Sequence, residues 1–182
     1  MANINRGNTI ALIVDYQEKL MPVIYEKEKL LDNSVKLING LRILGIPMIM
    51  TQQYTKGIGM TVSQIVEACG TIEYVDKKSF SCYENKEVMD KVINMQEIEN
   101  IILCGIEAHI CVLQTAIDLQ KAGFTSLLVE DCISSRKLND KLIAIRRMER
   151  EGAVITTYES ILFEFMKSAE VAEFKQISRL IK

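Results

Sequence analysis

The sequence has 182 residues, and 48% of them are hydrophobic, so the chain can bury a substantial core. Asp plus Glu number 24 and Lys plus Arg number 22, which gives a formal net charge of -2. This composition excludes a disordered tail, a fibre and a disulfide-stapled mini-protein, and the balanced charge offers no general attraction for nucleic acid or a membrane surface. We expect a single domain over residues 1–182, with the function in a local site.

The cysteines and the histidine narrow the chemistry. No two of the five cysteines form a C-x-x-C pair; they are Cys69, Cys82, Cys104, Cys111 and Cys132. Because no apolar secretory segment follows the start of the sequence, we expect reduced thiols and a cytoplasmic protein. The single histidine, His109, leaves little scope for a Ser-His-Asp triad or a His-rich zinc site.

The first half of the chain alternates apolar runs with amphipathic segments. Residues 9–14 form a strongly apolar run, which is typical of a strand buried on both faces of a parallel sheet. Residues 26–44 place apolar side chains at helical spacing, and Gly45 and Pro47 end that helix. The following elements are predicted as a strand over 47–50, a helix over 61–68, a strand over 72–75 and a helix from the cap at Asn85 to Met95.

The second half repeats the alternation. It predicts a strand over 101–104, a helix over 109–122, a strand over 127–129, a helix over 138–151, a strand over 154–157 and two C-terminal helices divided near Ser168. Strands separated by helices of this length indicate βαβ units. We therefore expect a Rossmann-like, three-layer α/β/α sandwich with a six-stranded, mostly parallel sheet. The sequence contains no phosphate-binding glycine motif.

Polar residues follow three of the predicted strands. Ligands of open α/β sheets collect outside the carboxyl ends of the strands, where loops present polar groups. Asp15 follows the first strand, Lys77 and Lys78 follow the third, and Cys111 follows the fourth at the start of a helix. An acid, a base and a thiol are therefore expected to lie close together.

Each of these residues has a plausible chemical role. A cysteine in the first turn of a helix faces free backbone N–H groups, which lower the thiol pKa, so Cys111 is the candidate nucleophile. Asp15 could accept its proton, and a nearby lysine could offset the resulting negative charge. The same backbone amides could hold the oxygen of a tetrahedral intermediate.

Structural roles are the alternatives. Free cysteine is often buried, so Cys111 taken alone is more often a core residue, as we expect for Cys69, Cys82 and Cys104. Asp15 could form a turn, and Lys77 could be a solvated surface charge. His109 could act as a base for Cys111, but side chains two positions apart on a helix point in different directions.

Three segments lie at the ends of predicted strands. They read Ile-Val-Asp-Tyr-Gln over residues 13–17, Asp-Lys-Lys-Ser-Phe-Ser over 76–81, and Cys-Gly-Ile-Glu-Ala-His-Ile-Cys-Val over 104–112. Their order and spacing resemble those of the isochorismatase-like cysteine hydrolase superfamily, and the resemblance extends to the Val-Glu-Asp-Cys segment at 129–132. The chain is most similar to the short isochorismatase-domain proteins, whose second strand continues into a stretch like Thr-Gln-Gln-Tyr-Thr-Lys-Gly, here residues 51–57.

The resemblance implies an Asp-Lys-Cys triad of Asp15, Lys77 and Cys111. Lys77 is chosen over Lys78 because the lysine of the family stands three residues before the position of Phe80. In the family the thiolate attacks a carbonyl or related carbon, the aspartate carries the proton and water releases the thioester. The resemblance further implies a non-proline cis peptide before Glu107, whose N–H would bind the oxyanion together with that of Cys111.

The family also suggests the ligands. A substrate pocket would draw on Leu20, Gln53, Tyr54, Phe80, Ile106 and Ile110, and a small neutral substrate fits these side chains. The nicotinamidase branch holds a metal through one aspartate and two histidines after the second strand, where this chain has Gln52, Gln53 and Tyr54. We therefore expect no metal and no cofactor, and hydrolysis of an amide or related C–N bond. The resemblance also implies a homo-oligomer.

Two other functions fit the same sequence. The fold could serve as a binding or scaffold module with a vestigial triad. A thiol redox protein would instead need a resolving cysteine near Cys111, and Cys82 is the candidate because it follows the same strand as Lys77.

Overall fold

The computed structural model describes residues 3–95 and 97–182. Its strands are β1 (Thr9–Val14), β2 (Met48–Gln53), β3 (Val75–Lys77), β4 (Asn100–Ile106), β5 (Thr125–Ser134) and β6 (Val154–Thr156). They form one sheet in the order β3-β2-β1-β4-β5-β6, and every neighbouring pair is parallel. The predicted six-stranded α/β architecture is confirmed.

Helices cover both faces of the sheet. They are α1 (Lys27–Ile43), α2 (Thr55–Ile58), α3 (Ser63–Cys69), α4 (Lys86–Asn94), α5 (Leu113–Lys121), α6 (Leu138–Arg150), α7 (Tyr158–Met166) and α8 (Phe174–Leu180). Buried residues of α1, α3, α7 and α8 share one core cluster, and those of α4, α5 and α6 share the other. Within the described residues, no helix combines the length and apolarity needed to cross a bilayer.

The central strand β1 shows why a continuous apolar run forms this sheet. Successive side chains of a strand point to opposite faces. Ala11 and Ile13 enter the core cluster on one face, and Ile10, Leu12 and Val14 enter the cluster on the other. Because helices cover both faces, all five side chains are fully buried.

The strands near the site differ from the predicted ones. The second strand does not end at residue 50 but continues through the polar residues Thr51, Gln52 and Gln53, which pair with β3. The third strand lies later than the predicted 72–75, and Ile72 is 78% exposed. Apolar runs underestimated these strands because the polar residues at the end of β2 and Lys77 of β3 are buried and make hydrogen bonds there. Lys77 is therefore the last residue of β3.

Helix boundaries agree more closely with the patterns. The side chain of Asn85 caps α4 by accepting a hydrogen bond from the Val88 N–H at 3.1 Å, as predicted. The helix predicted over 109–122 divides into a five-residue π-helical turn, Ala108–Val112, followed by α5. The helix predicted over 61–68 begins at Ser63, because Thr61 pairs with Gln17 in an isolated bridge.

The strand order decides where a ligand can enter. After β1 the chain adds β2 and β3 on one side, then crosses to add β4, β5 and β6 on the other. Loops leaving the carboxyl ends of β1 and β4 therefore turn to opposite sides and open a crevice between them. Asp15 follows β1 directly, and the turn that carries Cys111 follows β4.

Candidate active site

Asp15 lies at the floor of this crevice. It leaves β1 with φ +52°, in the left-handed region that aspartate tolerates better than most residues, and it has no exposed surface. Its Oδ1 accepts a hydrogen bond from Thr51 Oγ1 at 2.7 Å, and its Oδ2 lies 2.6 Å from Lys77 Nζ. Among the described residues, Oδ2 accepts no hydrogen bond of good geometry, so one of its lone pairs is available for a proton.

Lys77 is a buried cation with several acceptors around it. Besides its ion pair with Asp15, its Nζ donates hydrogen bonds to Gln53 Oε1 at 2.7 Å, to the Phe80 carbonyl at 3.1 Å and to the Ser79 carbonyl at 3.3 Å. Burial lowers the pKa of Lys77, but the charge of the Asp15 carboxylate, joined by Cys82 and Cys111 when they ionise, outweighs it and raises the pKa above its ordinary value. Lys77 therefore stays protonated at neutral pH.

Cys111 lies in the π-helical turn beside both groups. It is 6% exposed, and its carbonyl accepts a hydrogen bond from Thr115 Oγ1 at 2.7 Å. Burial and the Asp15 carboxylate together raise the pKa of the Cys111 thiol to about 12, although the charge of Lys77 opposes them. The expected lowering of this pKa is therefore wrong. Desolvation and the neighbouring carboxylate outweigh the helix N-terminus and the lysine, and the resting residue is a thiol.

The raised pKa gives a testable pH dependence. Iodoacetamide reacts with the thiolate, so alkylation of Cys111 should be slow near neutral pH and should still be rising at the highest pH the protein tolerates. Asp15→Asn removes the negative charge that raises the pKa. It should therefore shift the rate profile to lower pH. Peptide mass spectrometry after timed labelling measures the rate, and a parent profile that levels off below about pH 7 would contradict the assignment.

Glu107 anchors the loop between β4 and the π-helical turn. The peptide bond between Ile106 and Glu107 is cis. The Glu107 carboxylate lies 2.9 Å from Arg136 Nε, and its carbonyl accepts hydrogen bonds from the N–H groups of Ile110 and Val112 at 3.0 and 3.3 Å. The backbone predicted to bind an oxyanion is thus held by a side-chain ion pair and by the turn itself. Sequence reasoning missed Arg136, since no pattern links it to this loop.

Two aromatic side chains flank the site. Tyr54, which directly follows β2, is 50% exposed, and Phe80, three residues after the end of β3, is 52% exposed. Leu20 and Ile110 are partly buried and pack against the two core clusters. These four predicted pocket residues keep some surface for a ligand.

The side chains of the other two predicted pocket residues make their contacts within the protein. The side chain of Ile106 has no exposed surface and lies in the core. Gln53 accepts a hydrogen bond from Lys77 and donates one to the Lys78 carbonyl at 2.9 Å. Contact between Ile106 and a substrate stays a prediction, and in this structure β4 turns the side chain into the helical layer. Gln53 instead contacts the lysine.

His109 and Cys82 lie close to the site. The Nδ1 atom of His109 is 2.9 Å from Ser135 Oγ, so this ring nitrogen is engaged outside the triad. Cys82 is fully buried, with its sulfur 4.0 Å from Thr51 Oγ1, and burial raises its pKa to about 11. An ionised Cys82 would raise the pKa of Cys111, so the two sulfurs lie near each other and a resolving role for Cys82 stays an alternative.

Amide side chains form the hydrogen bonds of the stretch over residues 52–54, where the resemblance implied the position of a metal site. Gln52 Nε2 donates to Thr61 Oγ1, and its Oε1 accepts from Thr55 Oγ1, both at 2.9 Å. Over residues 3–95 and 97–182, no group of three His, Cys, Asp or Glu side chains is placed to hold a metal ion. Amide and hydroxyl groups in neutral pairs make a poor site for a transition metal.

Comparison with known proteins identifies the family. The isochorismatase domain matches residues 9–160. The isochorismatase domain-containing protein 2 of Danio rerio is 35% identical over 184 aligned residues, which cover 100% of this chain and 92% of that protein. A solved structure described as MAR1 ribonuclease from Caenorhabditis elegans is 37% identical, covers 99% of this chain and 92% of its own, and superposes with a TM-score of 0.91.

A more distant structure shares the fold. The YcaC gene product of Escherichia coli, described as an octameric hydrolase of unknown specificity, is 19% identical and has a TM-score of 0.90. The alignment covers 100% of this chain and 90% of that one. The domain match and the identity to the Danio rerio protein lead to one conclusion: the chain belongs to the isochorismatase domain family.

Proposed function

We propose that the chain is a metal-independent cysteine hydrolase that cleaves a small amide or related C–N bond, with Asp15, Lys77 and Cys111 as its catalytic residues. The supporting observation is the buried ion pair of Asp15 Oδ2 and Lys77 Nζ at 2.6 Å beside the Cys111 thiol. Burying two charges is expensive, and a purely structural role would be served as well by apolar side chains. The pair instead provides a base and a fixed positive charge next to a nucleophile.

The proposed reaction has two halves. As the Cys111 sulfur attacks the carbonyl carbon, its proton passes to the free lone pair of Asp15 Oδ2, so thiolate forms only when it is used. Asp15 then protonates the leaving nitrogen as the C–N bond breaks, which leaves a thioester. In the second half Asp15 takes a proton from water, the hydroxide attacks the thioester, and the sulfur regains its proton as the acid is released.

The backbone N–H groups of Glu107 and Cys111 would stabilise the tetrahedral intermediates. The Arg136 ion pair and the two hydrogen bonds to the Glu107 carbonyl support this proposal, since they hold the loop before substrate arrives. Such preorganised donors typically contribute roughly 10² to 10³ in rate each. Tyr54 and Phe80 would flank a small, neutral and flat substrate.

Replacing the nucleophile tests the proposal. Turnover should fall by roughly 10³-fold or more in Cys111→Ala and Cys111→Ser, because neither can form the thioester. A panel of small neutral amides, followed by ammonia or amine release, supplies the assay, and quenched mass spectra of the parent should show an acyl group on Cys111. Full activity in Cys111→Ala would rule out the mechanism. If the parent hydrolyses none of the amides and Cys111 carries no acyl group, the binding-module alternative is favoured.

A second candidate function is ribonuclease activity. It is favoured by one observation, the C. elegans structure whose description names it a ribonuclease and which is 37% identical over 99% of this chain. The net charge of -2 gives RNA little general attraction to this chain. Incubating the parent and Cys111→Ala with labelled single-stranded RNA distinguishes the two functions, because RNA cleavage that depends on Cys111 would replace amide hydrolysis as the proposal.

We further propose that copies of the chain assemble in a reducing compartment. The octameric description of the related YcaC gene product supports assembly. All five cysteines are free in this structure, as in a cytoplasmic protein. Light scattering on the purified protein measures the number of copies, and a monomer at every concentration would contradict assembly.

A further inference from the structure

The hydrogen-bond capacity of Lys77 is already used. An ammonium group has three N–H donors, and here Gln53 Oε1 and the carbonyls of Phe80 and Ser79 accept three hydrogen bonds from it, while Asp15 Oδ2 pairs with its charge at 2.6 Å. No donor is left for a substrate. Lys77 therefore acts through its charge and its position, and whatever holds it in place contributes to the reaction.

Gln53 is the side chain that completes this arrangement. It is 8% exposed, and its amide joins Lys77 on one side to the Lys78 carbonyl on the other. Its backbone is clamped by Gln17, whose Oε1 accepts from the Gln53 N–H at 2.7 Å and whose Nε2 donates to the Gln53 carbonyl at 3.1 Å. Gln17 also donates to the Gly59 carbonyl at 2.7 Å. The acceptor is thus rigidly placed.

We propose that Gln53 is a positioning residue that holds the Lys77 ammonium group between Asp15 and Cys111, and that it does not bind the substrate directly. A neutral amide suits this role, because a carboxylate would add a second negative charge to one buried lysine. The inference rests on the proposed function only in taking Cys111 as the nucleophile whose pKa the charge of Lys77 lowers. It assigns to this chain's own Gln53 the work of orienting the lysine.

The role can be tested without a substrate. Gln53→Met keeps the side-chain length but removes the acceptor for Lys77. Because the charge of Lys77 lowers the pKa of Cys111, loosening the lysine should raise that pKa. A rise of about one unit would slow alkylation by iodoacetamide roughly tenfold wherever thiolate is the minor form. Mass spectrometry of the Cys111 peptide across pH gives the profile.

Gln52→Met is the matched control. Gln52 is equally buried, at 1% exposed, and its amide also makes two hydrogen bonds, but to Thr61 and Thr55 rather than to Lys77. Its profile should match the parent. Circular dichroism and urea unfolding check that both variants are folded. Should Gln53→Met not fold, Gln53→Asn takes its place, because the shorter side chain withdraws the acceptor from Lys77 and should also raise the Cys111 pKa.

Two outcomes separate the possible roles. If Gln53 binds the substrate directly, Gln53→Met should raise the KM for an amide while the pH profile of Cys111 alkylation stays that of the parent. This result would overturn the proposal. The proposal would also be overturned if Gln52→Met shifted the pH profile of Cys111 alkylation as far as Gln53→Met does. Failure of the hydrolase proposal would show separately, as turnover that survives in Cys111→Ala.

Discussion

Lys77→Met is expected to abolish amide turnover and to lower the free energy of unfolding by about 3–5 kcal/mol. The variant leaves Asp15 buried with no cation beside it, since Asp15 has no exposed surface and Lys77 is 1% exposed. The cost follows from desolvation, because a carboxylate in an apolar interior cannot recover its lost hydration without a partner. Urea unfolding measures the stability, and the amide assay measures the turnover.

Two further variants make the result specific. Lys78→Met removes an exposed neighbouring charge, so it should change the unfolding free energy by no more than about 0.5 kcal/mol and leave turnover intact. Asp15→Asn combined with Lys77→Met removes both charges and should regain much of the stability but none of the activity. If Lys78→Met lost activity while Lys77→Met kept it, the choice of lysine would be reversed.

Gly105→Ala is expected to be the most damaging of the small substitutions. Gly105 lies in β4 with φ +129°, and a Cβ atom there would stand 2.0 Å from the Val14 carbonyl oxygen. That oxygen belongs to the backbone of the central strand, so it cannot move aside as a side chain can. We expect a loss of more than about 4 kcal/mol or failure to fold. If the variant folds, the displaced strands should separate Asp15 from Cys111 and remove turnover.

Gly123→Ala isolates the steric contribution. Gly123 also has a positive φ, +91°, but a Cβ atom there would meet nothing within 4 Å. Its substitution should therefore cost only the backbone strain of about 1–2 kcal/mol. Urea unfolding of the two variants side by side gives the difference. Equal stabilities would show that contact with Val14 does not make Gly105 necessary.

The patterns that predicted the fold correctly are those set by local rules. The apolar run of β1 indicated burial on both faces, and Asn85 indicated a helix start, because each depends on a few neighbouring residues. The same logic placed Asp15, Lys77 and Cys111 near strand ends. Thr51 could have been found in the same way, as the polar residue directly after the predicted second strand.

The tertiary structure decided the rest. The sequence by itself determined the alternation of strands and helices and which residues could carry chemistry. It did not determine that β1 lies between β2 and β4, that Gln53 faces Lys77, or that burial raises the pKa of Cys111 instead of lowering it. These features arise from groups far apart in the chain. A pKa and a hydrogen-bond partner depend on desolvation and on neighbours in space, which only the packed molecule specifies.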